Sequence, residues 1–147
     1  MPFIDLESNL PESTFSEDFL KKLCSKTAAV LGKPEEVLGN TYIRGLIEEK
    51  AETLVTHICD QLFQKRMMLV VKPGLPMLMG GTCAPCVILS VSAIGVTDTA
   101  EKNKEHSANI FPFLTGELGL TEDRVMIRFY ALEPHQVGKK GTVMSYL

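Results

Sequence analysis

The chain lacks an excess of positive charge: 15 Lys and Arg against 18 Asp and Glu leave a formal net charge of -3. Its adjacent basic pairs are confined to Lys21-Lys22, Lys65-Arg66 and Lys139-Lys140, too sparse for a polyanion-binding surface, so nucleic acid is not an expected partner. No Lys or Arg precedes Lys21 and no apolar h-region follows the start, so no secretory signal is expected. The expected compartment is the cytoplasm, with leaderless secretion as the alternative. No apolar run reaches the ~18 residues that span a bilayer, and no membrane association is expected. Without a signal, Cys24, Cys59, Cys83 and Cys86 are expected to be reduced thiols rather than a disulfide framework. His57, His106 and His135 are scattered, and His57 and Cys59 stand two apart on a helical pattern, so they share no face. No metal site and no cofactor is expected. What is present is 45% apolar residues with 22% charged over 147 positions, enough for one folded domain with a sizeable core.

Phe3-Ile4-Asp5-Leu6-Glu7-Ser8 predicts a short strand beginning at the terminus, closed by the turn Asn9-Leu10-Pro11. Ser16 predicts a helix cap, with Glu17 and Asp18 in the first turn. Phe19, Leu20, Leu23, Cys24, Thr27, Ala28 and Leu31 follow at i, i+3, i+4 spacing, and Gly32 takes the C′ position. Ile43, Leu46, Ile47, Ala51, Leu54, Val55, Ile58, Leu62 and Phe63 mark one face of a second amphipathic helix. Met67–Val71 predicts a buried strand, and Cys86–Ile94 a strand buried on both faces. A polar stretch from Thr97 to Ser107 leads into a helix carrying Ile110, Phe111, Phe113, Leu114 and Leu118, with Pro112 an awkward interior residue. Arg124–Tyr130 predicts a strand with Met126, Arg128 and Tyr130 on one face, and Thr142–Tyr146 a last short one.

With residues 37 to 65 set aside, the order is strand, helix, strand, twice over: an internal repeat of a βαβ unit. The expected fold is α+β, a four-stranded sheet with two helices on one face plus an inserted helix. Its uncovered face is too apolar for water, so oligomerisation is expected.

Met1-Pro2 adds chemistry. Loss of Met1 would leave proline as the free amino terminus. An α-amino group titrates near ~7.7 to 8, and an apolar site lowers that value, which suits a general base at neutral pH. For Met-Pro alone, a start residue followed by an ordinary proline is the commoner account. Taken alone, Lys33 and Arg128 are surface cations.

Pro2-Phe3-Ile4, Leu31-Gly32-Lys33-Pro34, Lys72-Pro73-Gly74, Ser92-Ala93-Ile94-Gly95, His106-Ser107-Ala108, Asp123-Arg124-Val125 and Gly138–Met144 together resemble the macrophage migration inhibitory factor family. Arg128-Phe129 and the Gly-Thr-Val-Met run point to its dopachrome tautomerase branch. The resemblance runs from Pro2 to about Glu36 and from about Arg66 to Leu147. It implies the tautomerase fold, a homotrimer with a site at each subunit interface, and Pro2 as catalytic base in the decarboxylating tautomerisation of D-dopachrome to a dihydroxyindole, a step of melanin chemistry. It further implies that Lys33 holds the substrate carboxylate as a point charge, that Ile94 lines the pocket and that Arg128 arrives from a neighbouring subunit. Implied partners are a small-molecule substrate, further copies of this chain and the cell-surface invariant chain bound by the family's cytokine members. The alternatives to an enzyme are a signalling ligand with a vestigial pocket and an inactive splice product. Cys83-Ala84-Pro85-Cys86 has a redox-type spacing, but it is displaced by three residues from the inhibitory factor's own C-x-x-C and is taken as two ordinary thiols flanking a turn. Val37–Lys65 departs from the family pattern and is expected to interrupt a single domain of residues 1–147 as an inserted helix from about Ile43 to Gln64.

Overall fold

A computed structural model describes residues 1–32 and 65–147; the helix expected from Ile43 to Gln64 lies outside the described residues. Strand β1 (Phe3–Ser8) begins at the terminus, with Ile4, Leu6 and Ser8 buried and Phe3, Asp5 and Glu7 turned to the other face. Helix α1 (Glu17–Leu31) starts where the Ser16 side chain accepts the Phe19 N–H at 3.2 Å, and Glu17 and Asp18 in its first turn complement the helix dipole. It buries Phe19, Leu23, Thr27, Ala28, Val30 and Leu31. The Thr27 hydroxyl is tolerated in that stripe because it donates to the Leu23 carbonyl at 2.7 Å. Gly32 ends the helix at φ -98°, so the left-handed C′ geometry expected there is absent. Gly119 supplies that geometry, at φ 63°, after the second described helix.

Among the described residues the main sheet runs β2-β1-β3-β4, where β2 is Met68–Lys72, β3 Val87–Ile94 and β4 Val125–Leu132. β1 pairs parallel with β2 and antiparallel with β3, and β3 pairs parallel with β4. Each parallel pair is the outer pair of one βαβ unit, so the expected repeat is present. The register Leu6↔Leu89↔Ile127 and Ile4↔Val91↔Phe129 lines up one apolar face. Leu23 and Phe19 of α1 and Ile110 and Leu114 of α2 (Ala100–Leu118) join that face in one cluster. Both helices therefore cover the same side. Each fully buried leucine or isoleucine in this cluster stabilises the fold by ~1.5 to 3 kcal/mol.

Two strand expectations need correction. β2 is an edge strand, paired on one side only, and Met68 and Val70 stand 50% and 38% exposed. β3 is buried along one face, through Val87, Leu89, Val91 and Ala93, while on the other face Ser90 is buried and Ile88, Ser92 and Ile94 are only partly covered. Their apolar runs suggested two-sided burial because the open face of the sheet carries apolar residues of its own. α2 also begins ten positions before its apolar residues. Thr99 caps it by accepting the Lys102 N–H at 3.2 Å, and the polar stretch after Thr99 forms its first turns. Pro112 falls on the exposed side, as does Ala108, whose carbonyl can receive no N–H from it. The tail forms a hairpin, β5 (Gly138–Lys139) with β6 (Thr142–Val143), whose turn residues Lys140 and Gly141 both adopt positive φ. The last expected strand stops at Val143, and Met144–Tyr146 turns into a 3-10 helix.

Candidate active site

β1 is an inner strand, so its start is flanked on both sides. The Pro2 carbonyl accepts the Met68 N–H at 3.1 Å. Extending the parallel register Phe3↔Met68 sets Arg66 beside Met1, and extending the antiparallel register Phe3↔Ser92 sets Ile94 on its other side. Pro2 continues the buried alternation of Ile4 and Leu6 and is fully buried. Met1 is present, so the Pro2 nitrogen is an amide here and the free amine is that of Met1. Burial lowers the proton affinity of that amine below its ordinary value of 8.0, and the Arg66 and Lys139 cations lower it further. An amine released at Pro2 would inherit this setting: apolar, cationic and favourable to the neutral, proton-accepting form.

Of the residues expected at the site, the described structure brings Pro2 and Ile94 to one end of the sheet. It does not bring Arg128 there. Arg128 pairs with Ser90, opposite Asp5, which is three residues or about 10 Å along β1 from Pro2. Its Nη2 donates to Ser90 Oγ at 3.1 Å and lies 4.0 Å from Glu7 Oε1, on the open face of the sheet. Within one chain Arg128 is remote from Pro2, and only a second copy could carry an Arg128 to it. Lys33 lies outside the described residues. Arg66 and Lys139, whose charges act on the terminal amine, were not among the residues expected at the site. In the sequence they stand out only as members of two basic pairs in an otherwise acidic chain.

The Cys83–Cys86 segment lies at the opposite end of β3 from the amino terminus. Both thiols are free, Cys83 exposed and Cys86 buried. The Asn9 side chain donates to the Cys83 and Ala84 carbonyls and accepts the Cys86 N–H at 2.8 Å. Arg124 donates to the Met79, Ala84 and Pro85 carbonyls at 2.7, 2.6 and 3.1 Å. Among the described residues no group of three or more His, Cys, Asp or Glu converges as a metal site. No helix among them is long and apolar enough to cross a membrane.

Two βαβ units on one mixed sheet, with an amino terminus buried between strands, define a tautomerase-type α+β protein. The family model described as macrophage migration inhibitory factor matches in two stretches, residues 1–46 and 38–145. D-dopachrome decarboxylase of Xenopus tropicalis is 44% identical over 147 residues, covering 100% of both chains, and that of Mus musculus is 41% identical over the same span. A macrophage migration inhibitory factor homolog of Trichuris trichiura is 30% identical, covering 97% of this chain and 98% of its own. The homologue from Prochlorococcus marinus superposes with a TM-score of 0.69 at 22% identity, covering 97% of this chain and 98% of that one, which bears on the fold alone. The chain belongs to the macrophage migration inhibitory factor family.

Proposed function

We propose that this chain is a decarboxylating tautomerase that converts D-dopachrome to 5,6-dihydroxyindole with loss of carbon dioxide, using the amine of Pro2 as general base once Met1 is removed. The observation that carries the reading is the position of Pro2: fully buried on an inner strand, at a terminus whose amine is held below its ordinary proton affinity. Full-length identity of 41 to 44% to chains named D-dopachrome decarboxylase supports the substrate. In this reading Lys33 holds the substrate carboxylate, Ile94 forms the pocket wall and Arg128 is contributed by a neighbouring copy in a homotrimer. Arg66 and Lys139 add positive charge for an anionic substrate. No cofactor is required. The domain is single, residues 1–147, interrupted at about 37–65.

The test is Pro2→Gly. Dopachrome turnover should fall to background while the melting temperature stays within a few degrees, and full turnover in that variant would remove the assignment. A signalling ligand of the same family is the competing reading, favoured by the relatives named as inhibitory factor homologs. Binding to the invariant-chain ectodomain by a parent chain with no turnover, unchanged in Pro2→Gly, would establish it instead.

A further inference from the structure

The segment that follows Ile94 is held in an uncommon way. Gly95 turns the chain at φ 74°, and the next carbonyls are taken one after another by α2. Lys102 Nζ donates to the Gly95 carbonyl at 3.0 Å, and Asn103 Nδ2 donates to the Thr97 carbonyl at 3.1 Å. Between them, His106 Nε2 meets the Val96 carbonyl at 2.7 Å. Of the three contacts the one made by His106 is short, and its side belongs to a residue only 6% exposed. A carbonyl oxygen only accepts, so Nε2 carries the hydrogen and the tautomer is set by this partner. The other ring nitrogen, Nδ1, is buried without a partner, as is Asn103 Oδ1 one turn away. The ring packs against Phe129 of β4 with centroids 6.1 Å apart. His106 is thus fixed by a helix on one side and a strand on the other, and its one hydrogen bond is spent on the segment leading out of Ile94.

We propose that His106 is a positioning residue for the active site: by holding the Val96 carbonyl it sets the end of β3, and so places Ile94 beside the amino terminus. The proposal deepens the tautomerase reading and rests on it for its kinetic consequence. His106 does not touch the site itself. It acts through two residues of backbone, which is short enough for a loss of the bond to be felt at Ile94 and too far for any part in proton transfer. The expected signature is therefore weaker substrate binding with unchanged chemistry.

Two variants separate the bond from the packing. His106→Phe keeps a ring against Phe129 and loses the donor; His106→Gln keeps a donor of similar reach. Loss of a buried hydrogen bond of this kind predicts a KM for D-dopachrome raised about tenfold in His106→Phe with kcat within about twofold, and a KM largely recovered in His106→Gln. Amide hydrogen exchange across Ile94–Asp98, which needs no turnover, should speed up in His106→Phe and return toward the parent rate in His106→Gln. A nitrogen-15 spectrum of the parent should show the Nε2–H tautomer. Equal exchange in the parent and His106→Phe overturns the proposal, as does a KM unchanged in His106→Phe or an Nδ1–H tautomer. If the parent turns over no D-dopachrome, the enzymatic reading falls by itself, and the exchange rates still decide whether His106 sets the end of β3.

Discussion

At the scale of the residue, the amino terminus concentrates the chemistry. Its amine binds a proton less readily in the folded chain than in the unfolded one, first because of burial and then because of Arg66 and Lys139. The sign follows from linkage: the unfolded chain holds more protons here, so this group favours folding increasingly as pH rises toward 8.0 and loses that contribution as pH falls through the lowered folded value. If an amine freed at Pro2 keeps the burial and the cations that lower the Met1 amine, kcat/KM should show an acid limb with its midpoint below 8.0 when measured from pH 5 to 9. Replacing Lys139 with Gln should move that limb upward; a limb unmoved by the change would mean the cation acts elsewhere. The family pattern singled out Pro2 and Ile94, which the register sets at one end of the sheet, but nothing in the sequence singled out Arg66 or Lys139. Their nearness to the terminus depends on which strand lies beside β1, and no local pattern carries that information. Arg128 shows the opposite case: its face on β4 was read correctly from the alternation, yet its distance from Pro2 emerges only from the register.

Among the elements, the ones with local signals matched their expected bounds. β1 and α1 carry alternation, a cap and a periodic stripe, and both fall where those marks put them. The start of α2 was missed because its first turns present polar residues to solvent and clamp backbone carbonyls, which leaves no apolar period to detect. β2 and β3 were overburied in expectation, since an open apolar face and a core face read alike in a run of Val, Ile, Leu and Met. The segment from Met79 to Cys86 has no periodic sequence pattern; beyond one backbone bridge between Met79 and Thr82, it is tied down by Ser8, Asn9 and Arg124 reaching in from elsewhere in the chain. Arg124→Ala should therefore cost about 1 to 3 kcal/mol in urea unfolding by freeing three carbonyls. Arg124→Lys should recover little of it, because an ammonium cannot reproduce the fork. Turnover should be unaffected by either, the segment being at the far end of β3 from Pro2; a large loss of activity would show that the two ends are coupled.

For the whole molecule, the unresolved balance is the open sheet face. Met126 and Tyr130 on β4 are 52% and 45% exposed, and with Met68 and Val70 they make one side of the sheet apolar around Arg128, Glu7 and Ser90. Burial of that face against further copies is the expected remedy. Sedimentation at micromolar concentration should show an oligomer, both for the full chain and for a chain lacking residues 37–65, and Tyr130→Asp should shift it toward monomer. A monomeric parent would remove any site shared between subunits, and a deleted chain that fails to fold would mean the interruption is part of the domain. The burial of Pro2 on an inner strand has a consequence in time. Met1 is partly exposed while Pro2 is fully buried, so trimming of the Met1–Pro2 bond is expected to be fast while the nascent chain is unpaired and slow once β1 has closed against β2 and β3. Intact mass after exposure of the folded, Met1-bearing chain to the peptidase should be unchanged, whereas the same treatment in denaturant followed by refolding should release the active form.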